Sequence, residues 1–123
     1  MKIAIIGYGK MGKAIEEIAI SKGHEIVLKI NSQNAEEFTN KNLQLADVCI
    51  EFTTPHTAFE NVKKCLQAGV PTICGSTAWL EKLDEAKLIA IDNNTAFLYA
   101  SNFSIGVNLF FKINNIFCFY NNC

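Results

Sequence analysis

The chain has 123 residues, half of them hydrophobic, and a formal net charge of −1. That length suits one globular domain, and the apolar share supports a packed core rather than a disordered chain. The near-balance of charge, with no basic face or charge run, speaks against a nucleic-acid partner.

No segment is long and apolar enough to cross a bilayer, so no membrane partner is expected. Lys2 leads into a short apolar run that ends in glycines, not in a cleavage site, so a cytoplasmic location is expected. The five cysteines, Cys49, Cys65, Cys74, Cys118 and Cys123, are odd in number, irregularly spaced and without a CxxC pair. Neither a disulfide framework nor a metal site is expected, and Cys49 and Cys74 read as small hydrophobes inside apolar runs.

In chain order, Lys2–Ile6 reads as a buried strand: a short apolar run bounded by glycine. A helix is predicted from Lys10 to Lys22, with Met11, Ala14, Ile15, Ile18 and Ala19 at helical spacing and Gly23 as its stop. Glu25–Ile30 is the second strand. Asn31 to Asn42 is polar, a loop with a short helix near Ala35–Phe38. Asp47–Phe52 is the third strand, punctuated by Thr53-Thr54-Pro55. His56–Ala68 is helical, with Phe59, Val62 and Leu66 on one face and Gly69 at its end. Pro71–Cys74 is the fourth strand, Trp79–Ala90 a helix, Ala96–Ala100 the fifth strand, and a further helix starts at Val107. Strands and helices alternate through short links. That pattern predicts an α/β fold: a Rossmann-like, doubly wound parallel sheet covered on both faces.

The stretch "IAIIGYGKMGKAI" places Gly7, Gly9 and Gly12 between the first strand and the first helix. A GxGxxG alone is a weak signal, but here a strand precedes it, a helix follows and a second strand comes at the expected length. Gly7 permits the tight turn, Gly9 lets backbone approach a pyrophosphate, and Gly12 lets the helix pack on the strand. The helix N-terminus offers free N–H groups to phosphates. Lys10 reads either as a phosphate contact or as a solvated lysine. An acid is usual at the end of the second strand, to take the ribose hydroxyls, but Asn31 stands there. An amide does not repel a 2′-phosphate, and Lys29 and Ser32 lie close enough to help one, so NAD and NADP stay open.

Three more strand ends carry polar clusters: Thr53-Thr54-Pro55, Gly75-Ser76-Thr77 and Ser101-Asn102-Phe103-Ser104. In an open α/β sheet these would line one crevice with the glycine turn. Phe103 could pack against a flat ring. His24 reads as a surface residue, and His56, at a helix start, as a candidate neighbour of the cofactor.

The segments "GYGKMG", "EFTTPHTAFENV", "GVPTICGSTAW" and "ASNFSIGVN", in that order and spacing, make the sequence resemble dihydrodipicolinate reductase. This family, also called 4-hydroxy-tetrahydrodipicolinate reductase, serves lysine and diaminopimelate synthesis. The resemblance covers about residues 1–113, which would be the family's N-terminal nucleotide-binding domain. It implies NADH or NADPH as cofactor, hydride transfer to a small heterocyclic substrate, and a homotetramer for the complete enzyme. It places Gly7, Tyr8, Gly9, Lys10, Met11 and Gly12 at the pyrophosphate and Asn31 at the adenosine ribose. Phe52 and Thr53 would flank the cofactor. Gly75, Ser76, Thr77, Ala100, Ser101, Asn102 and Phe103 would form the nicotinamide end, with Ser76 a conservative departure from the family's Gly-Thr-Thr.

The family's His-His motif, its lysine and its Asp-Ala-Pro-Ser-Gly-Thr segment have no match here, and the sequence has no arginine to clamp a dicarboxylate. No catalytic residue is therefore assigned within this chain. The substrate domain is expected to be missing. Residues 114–123, "NNIFCFYNNC", read as an atypical tail left by truncation or a frame change. Two other readings stand beside this one. One is another Rossmann dehydrogenase, such as an aspartate or homoserine dehydrogenase relative, against which the Asn-Phe-Ser-Ile-Gly-Val-Asn segment speaks. The other is a non-catalytic NAD(P)-binding regulatory module.

Overall fold

The structure, a computed structural model, describes residues 1–110 together with Lys112 and Ile113. The tail reading for 114–123, and Cys118 and Cys123 with it, lies outside the described residues.

Five strands, β1 (Lys2–Ile6), β2 (Glu25–Ile30), β3 (Val48–Glu51), β4 (Thr72–Cys74) and β5 (Phe97–Tyr99), form one sheet. The strand order is β2-β1-β3-β4-β5, and every pairing is parallel. Parallel neighbours need crossovers, and the chain supplies them as α1 (Lys10–Ser21), α2 (Asn40–Leu43), α3 (Ala58–Gln67) and α4 (Leu83–Asp92). Short 3₁₀ turns at Ala35–Glu37 and Leu80–Lys82 precede α2 and α4. Residues 105–110 are helical as well. β1 and β2 have the predicted bounds, whereas β3, β4 and β5 are shorter by one or two residues, although the residues flanking them still hydrogen-bond to the neighbouring strands.

β1 is the hinge of the topology. The chain leaves it toward β2 on one side, then returns past it to β3 on the other. The C-terminal ends of β1 and β3 thus flank the switch point, where such sheets leave an open crevice.

Alternation along β1 splits the core. Ala4 and Ile6 pack with Leu28, Ile30, Phe38, Leu43, Cys49 and Cys65 on the face that carries α2 and α3. Ile3 and Ile5 pack with Ala19, Ile15 and Ile26 beneath α1. A third cluster joins Phe59, Val62 and Leu66 of α3 to Ala86 and Ala90 of α4, around Trp79. The predicted face of α3 is confirmed. Each of those three side chains contributes about 1.5–3 kcal/mol by leaving water.

Two predictions of helical detail are corrected. In α1, Ala19 is buried and Ile15 half-buried, but Met11 is 52% exposed, Ile18 56% exposed and Ala14 also exposed. The helix sits on the sheet through its smallest residues, Gly12 and Ala19, which turns the stripe of Met11, Ala14 and Ile18 outward. Trp79 does not begin a helix: it is a buried anchor before the 3₁₀ turn at Leu80–Lys82.

Ile5, Ile50, Ile73 and Leu98 are aligned in register across β1, β3, β4 and β5. Exposure climbs along this row: Ile5 is buried, Ile50 and Ile73 are half-buried, and Leu98 is 54% exposed. Among the described residues no helix is long and apolar enough to cross a membrane.

Candidate functional site

The glycine turn joins β1 to α1 at the switch point. Gly7 has φ +97°, a left-handed conformation that side chains rarely adopt, and a Cβ there would overlap the Phe52 carbonyl. A Cβ on Gly12 would overlap the Gly7 carbonyl and press on Ile5, which bears out its role in helix–strand packing. Gly9 differs: nothing lies within 4 Å of its built Cβ. The space in front of Gly9 is open, as a close-approaching ligand requires.

Gly9 caps α1 without a side-chain hydrogen bond, and no acid lies in the first turn. The N–H groups of that turn are left facing outward, with the positive end of the helix dipole behind them. Lys10 and Met11 are exposed at this end. Lys10 forms no ion pair among the described residues. Nothing in this turn fills the place of a phosphate, so the residues present fit a pyrophosphate.

The loops beyond the strands are stitched to their neighbours. Gly7 N–H donates to Ile30 O at 2.9 Å, Phe52 N–H to Ile6 O at 2.9 Å, Gly75 N–H to Glu51 O at 2.9 Å and Ala100 N–H to Cys74 O at 3.3 Å. Each candidate loop therefore starts from a backbone position fixed by the strand beside it. Phe52 lies against Gly75, where a Cβ would collide with its ring, and its ring sits 6.3 Å from that of Phe103. The sequence-predicted residues Phe52, Gly75 and Phe103 are thus brought together. Thr77, Ser101 and Asn102 are exposed on the same rim. Asn102 folds its own loop, its Oδ1 accepting from Ser104 N–H at 2.7 Å.

Thr53 is committed inward. Its N–H donates to Ser76 Oγ at 2.7 Å, and its hydroxyl donates to Glu51 Oε1 while accepting from Thr57 at 3.0 Å and Asn61 at 3.2 Å. The side chain has no capacity left for a ligand and works as scaffold.

The centre of this network was not singled out in the sequence. Glu51 is fully buried at the end of β3, between the Thr53 hydroxyl and the Cys74 thiol, which donates at 2.9 Å. It ties the loop after β3 to the one after β4. The available signal was an acid inside the apolar run "DVCIEF". Burial, then the charge of Glu51, pushes the Cys74 thiol up. Hydrogen bonding to Cys49, then burial, pushes the Cys65 thiol up. Both stay protonated and unreactive near neutral pH. Glu51→Ala is expected to cost on the order of 2–4 kcal/mol in urea unfolding, because it strands one buried and one part-buried donor. Glu51→Gln keeps the shape and one acceptor and should cost about half as much. Equal costs for the two variants would show that only packing matters there.

Asn31 closes an Asx turn at the end of β2. Its Oδ1 accepts from Gln33 N–H at 2.7 Å, and its own N–H donates to Asn34 Oδ1 at 2.8 Å. Among the described residues the Asn31 amide NH₂ has no hydrogen-bond partner. His56 lines a cavity of about 400 Å³ with Pro55, Phe59, Ala78 and Trp79, between the loops after β3 and β4. Among the described residues no group of three or more His, Cys, Asp or Glu side chains could hold a metal.

A parallel sheet with a glycine turn at its switch point, an uncapped helix N-terminus and stitched strand-end loops defines a domain of the Rossmann class. Residues 1–103 match the family described as dihydrodipicolinate reductase, N-terminus, and the chain belongs to that family.

A 4-hydroxy-tetrahydrodipicolinate reductase from Christiangramia forsetii is 41% identical over 114 residues, covering 93% of this chain and 47% of the relative. One from Staphylococcus haemolyticus is 33% identical over 120 residues, covering 92% and 48%. The chain thus spans about half the length of the curated relatives it matches. Among solved structures, a dipicolinate-bound dihydrodipicolinate reductase from Paenisporosarcina sp. TG-14 aligns with a TM-score of 0.76 at 26% identity, covering 96% of this chain and 53% of that one. A homoserine dehydrogenase from Archaeoglobus fulgidus aligns at 0.61 with 16% identity, covering 80% and 42%, a likeness of fold alone.

Proposed function

We propose that the chain is the cofactor-holding part of a 4-hydroxy-tetrahydrodipicolinate reductase, binding NADH or NADPH across the glycine turn. The observation that carries this reading is the open space at Gly9 between two glycines that the fold itself demands. The helix α1 N–H groups and Gly9 would take the pyrophosphate, and the Asn31 amide the adenosine ribose. Phe52, Gly75, Ser76, Thr77, Ala100, Ser101, Asn102 and Phe103 would border the nicotinamide. The cofactor, when bound, supplies hydride. The chain's own residues orient it and shield one face, which is where positioning energy comes from. Calorimetry with NADH and NADPH tests the reading. Absence of heat from both at millimolar concentration would overturn it.

Asn31→Asp should favour NADH over NADPH by about fivefold, because the new charge repels a 2′-phosphate at a partly exposed site. Aspartate can still accept from Gln33 N–H, so the turn survives. An unchanged ratio of dissociation constants would place Asn31 away from the ribose.

Reduction also needs a proton and a held substrate, and general acid help alone is typically about 10²–10⁴-fold in rate. No group on the described crevice rim is placed for that work. The purified 123-residue chain is therefore expected to bind cofactor without oxidising it in a coupled reductase assay. Substrate-dependent cofactor oxidation at a rate near that of a complete relative would contradict this.

A further inference from the structure

At the glycine turn a small polar cluster joins Tyr8 and Lys29, both already near the proposed cofactor, to Glu16, which the sequence did not single out. The Tyr8 hydroxyl donates to Glu16 Oε2, and Lys29 Nζ lies 3.0 Å from Glu16 Oε1. The same ammonium stands 4.9 Å from the centroid of the Tyr8 ring. The three residues come from three elements: the turn itself, the second turn of α1 and the end of β2. Their charges reinforce one another. Tyr8, then Lys29, holds the Glu16 carboxyl below the usual range, and Glu16 holds the Lys29 ammonium and the Tyr8 phenol above theirs. At neutral pH the pair is a formed ion pair, part-exposed on both sides.

The position of Lys29 gives this pair a meaning. It is the penultimate residue of β2, in register with Ile5 on the α1 face. Its carbonyl accepts from Asn34 Nδ2 at 2.7 Å, and Asn34 in turn holds the N–H of Asn31. Lys29 and the strand-end loop that would carry the ribose are therefore one rigid unit. We propose that the Glu16–Lys29 pair sets the choice between NADH and NADPH, Lys29 supplying the cation for a 2′-phosphate and Glu16 holding it back. This rests on the cofactor reading above. A 2′-phosphate must compete with the Glu16 carboxylate for one ammonium and meets that carboxylate's repulsion, whereas the bare ribose of NADH meets neither.

The test is direct titration of the whole chain with NADH and with NADPH, for wild type, Glu16→Gln, Lys29→Gln and Tyr8→Phe, with thermal unfolding as the folding control. Glu16→Gln should tighten NADPH about fivefold, with NADH within about twofold, since a part-exposed pair is worth up to about that factor. Lys29→Gln should weaken NADPH by a similar factor and spare NADH. Tyr8→Phe removes the hydroxyl that steadies Glu16 and should move the ratio in the same sense as Glu16→Gln, by less. An unchanged ratio in both Glu16→Gln and Lys29→Gln overturns the proposal while leaving the cofactor reading intact. So does a parallel loss of both dinucleotides, which would make the cluster a brace for the turn. Binding of neither dinucleotide by wild type overturns both.

Discussion

Gly9→Val should abolish dinucleotide binding and leave the fold standing, whereas Gly12→Val should unfold the chain. The three glycines of the turn carry different physical burdens. Gly7 is needed for its backbone angle and its closeness to Phe52. Gly12 is needed because any side chain would separate α1 from β1. Gly9 has φ −90° and ψ −151°, extended backbone open to any residue, and no protein atom close to its Cβ direction. Valine there should shift thermal unfolding by no more than a surface substitution does, about 0.5 kcal/mol. It fills the pyrophosphate's place, so affinity should fall by about 100-fold or more, equal to about 2.8 kcal/mol. Calorimetry beside a melting curve reads both effects. If Gly9→Val binds dinucleotide normally, the ligand does not cross this turn. If Gly9→Val unfolds as Gly12→Val does, the distinction among the glycines is wrong.

Among truncations of buried side chains, Trp79→Ala is expected to cost the most stability. The indole is 3% exposed, its Nε1–H donates to Ser76 O at 2.8 Å, and its ring meets Phe59, Phe97 and Tyr99 at 6.3, 6.1 and 5.7 Å between centroids. One side chain thus joins α3, β5 and the loop after β4. Truncating a buried tryptophan costs about 3–5 kcal/mol, against a total stability of about 5–15 kcal/mol for a domain. A fall in Tm of about 10–20 °C follows for a chain of this size. Trp79→Phe keeps the packing and loses the hydrogen bond, so it should cost about 1–2 kcal/mol. A loss below about 1 kcal/mol for the alanine variant would show that the three elements hold together without it.

The legible parts of the sequence were those governed by local rules. The apolar run before Gly7 and the glycine spacing gave the β1–turn–α1 unit, and the face Phe59, Val62 and Leu66 gave α3. Gly75 and Phe103 were also legible, because they lie in polar clusters at strand ends, where such sheets bind ligands, whereas Phe52 was named only through the family resemblance. What stayed hidden depends on contacts distant in the chain. Glu51 becomes a hub only when Cys74, more than 20 residues later, arrives beside it while Ser76 takes the Thr53 N–H. Trp79 looked like a helix start because its partners Phe59 and Phe97 lie on other elements. Met11 and Ile18 obey helical spacing as well as Ile15 does. Only the close seat of α1 on Gly12 decides which stripe faces the sheet.

The rising exposure along Ile5, Ile50, Ile73 and Leu98 also divides the sheet by how much free energy each strand needs to open. β1 lies between two partners, with α1 on one face and the α2 and α3 cluster on the other, so exposing its amides requires opening both layers. Among the described residues β5 pairs only with β4, through three residue pairs, and Leu98 adds little to hold it on the α1 side. Elements with few buried contacts open well below the global unfolding free energy. Although Trp79 holds its other face through Phe97 and Tyr99, the β5 edge is therefore expected to open before β1 does. The loop 100–104 hangs from that edge, so one wall of the proposed nicotinamide end would rest on a strand that opens more readily than the strand carrying the pyrophosphate end.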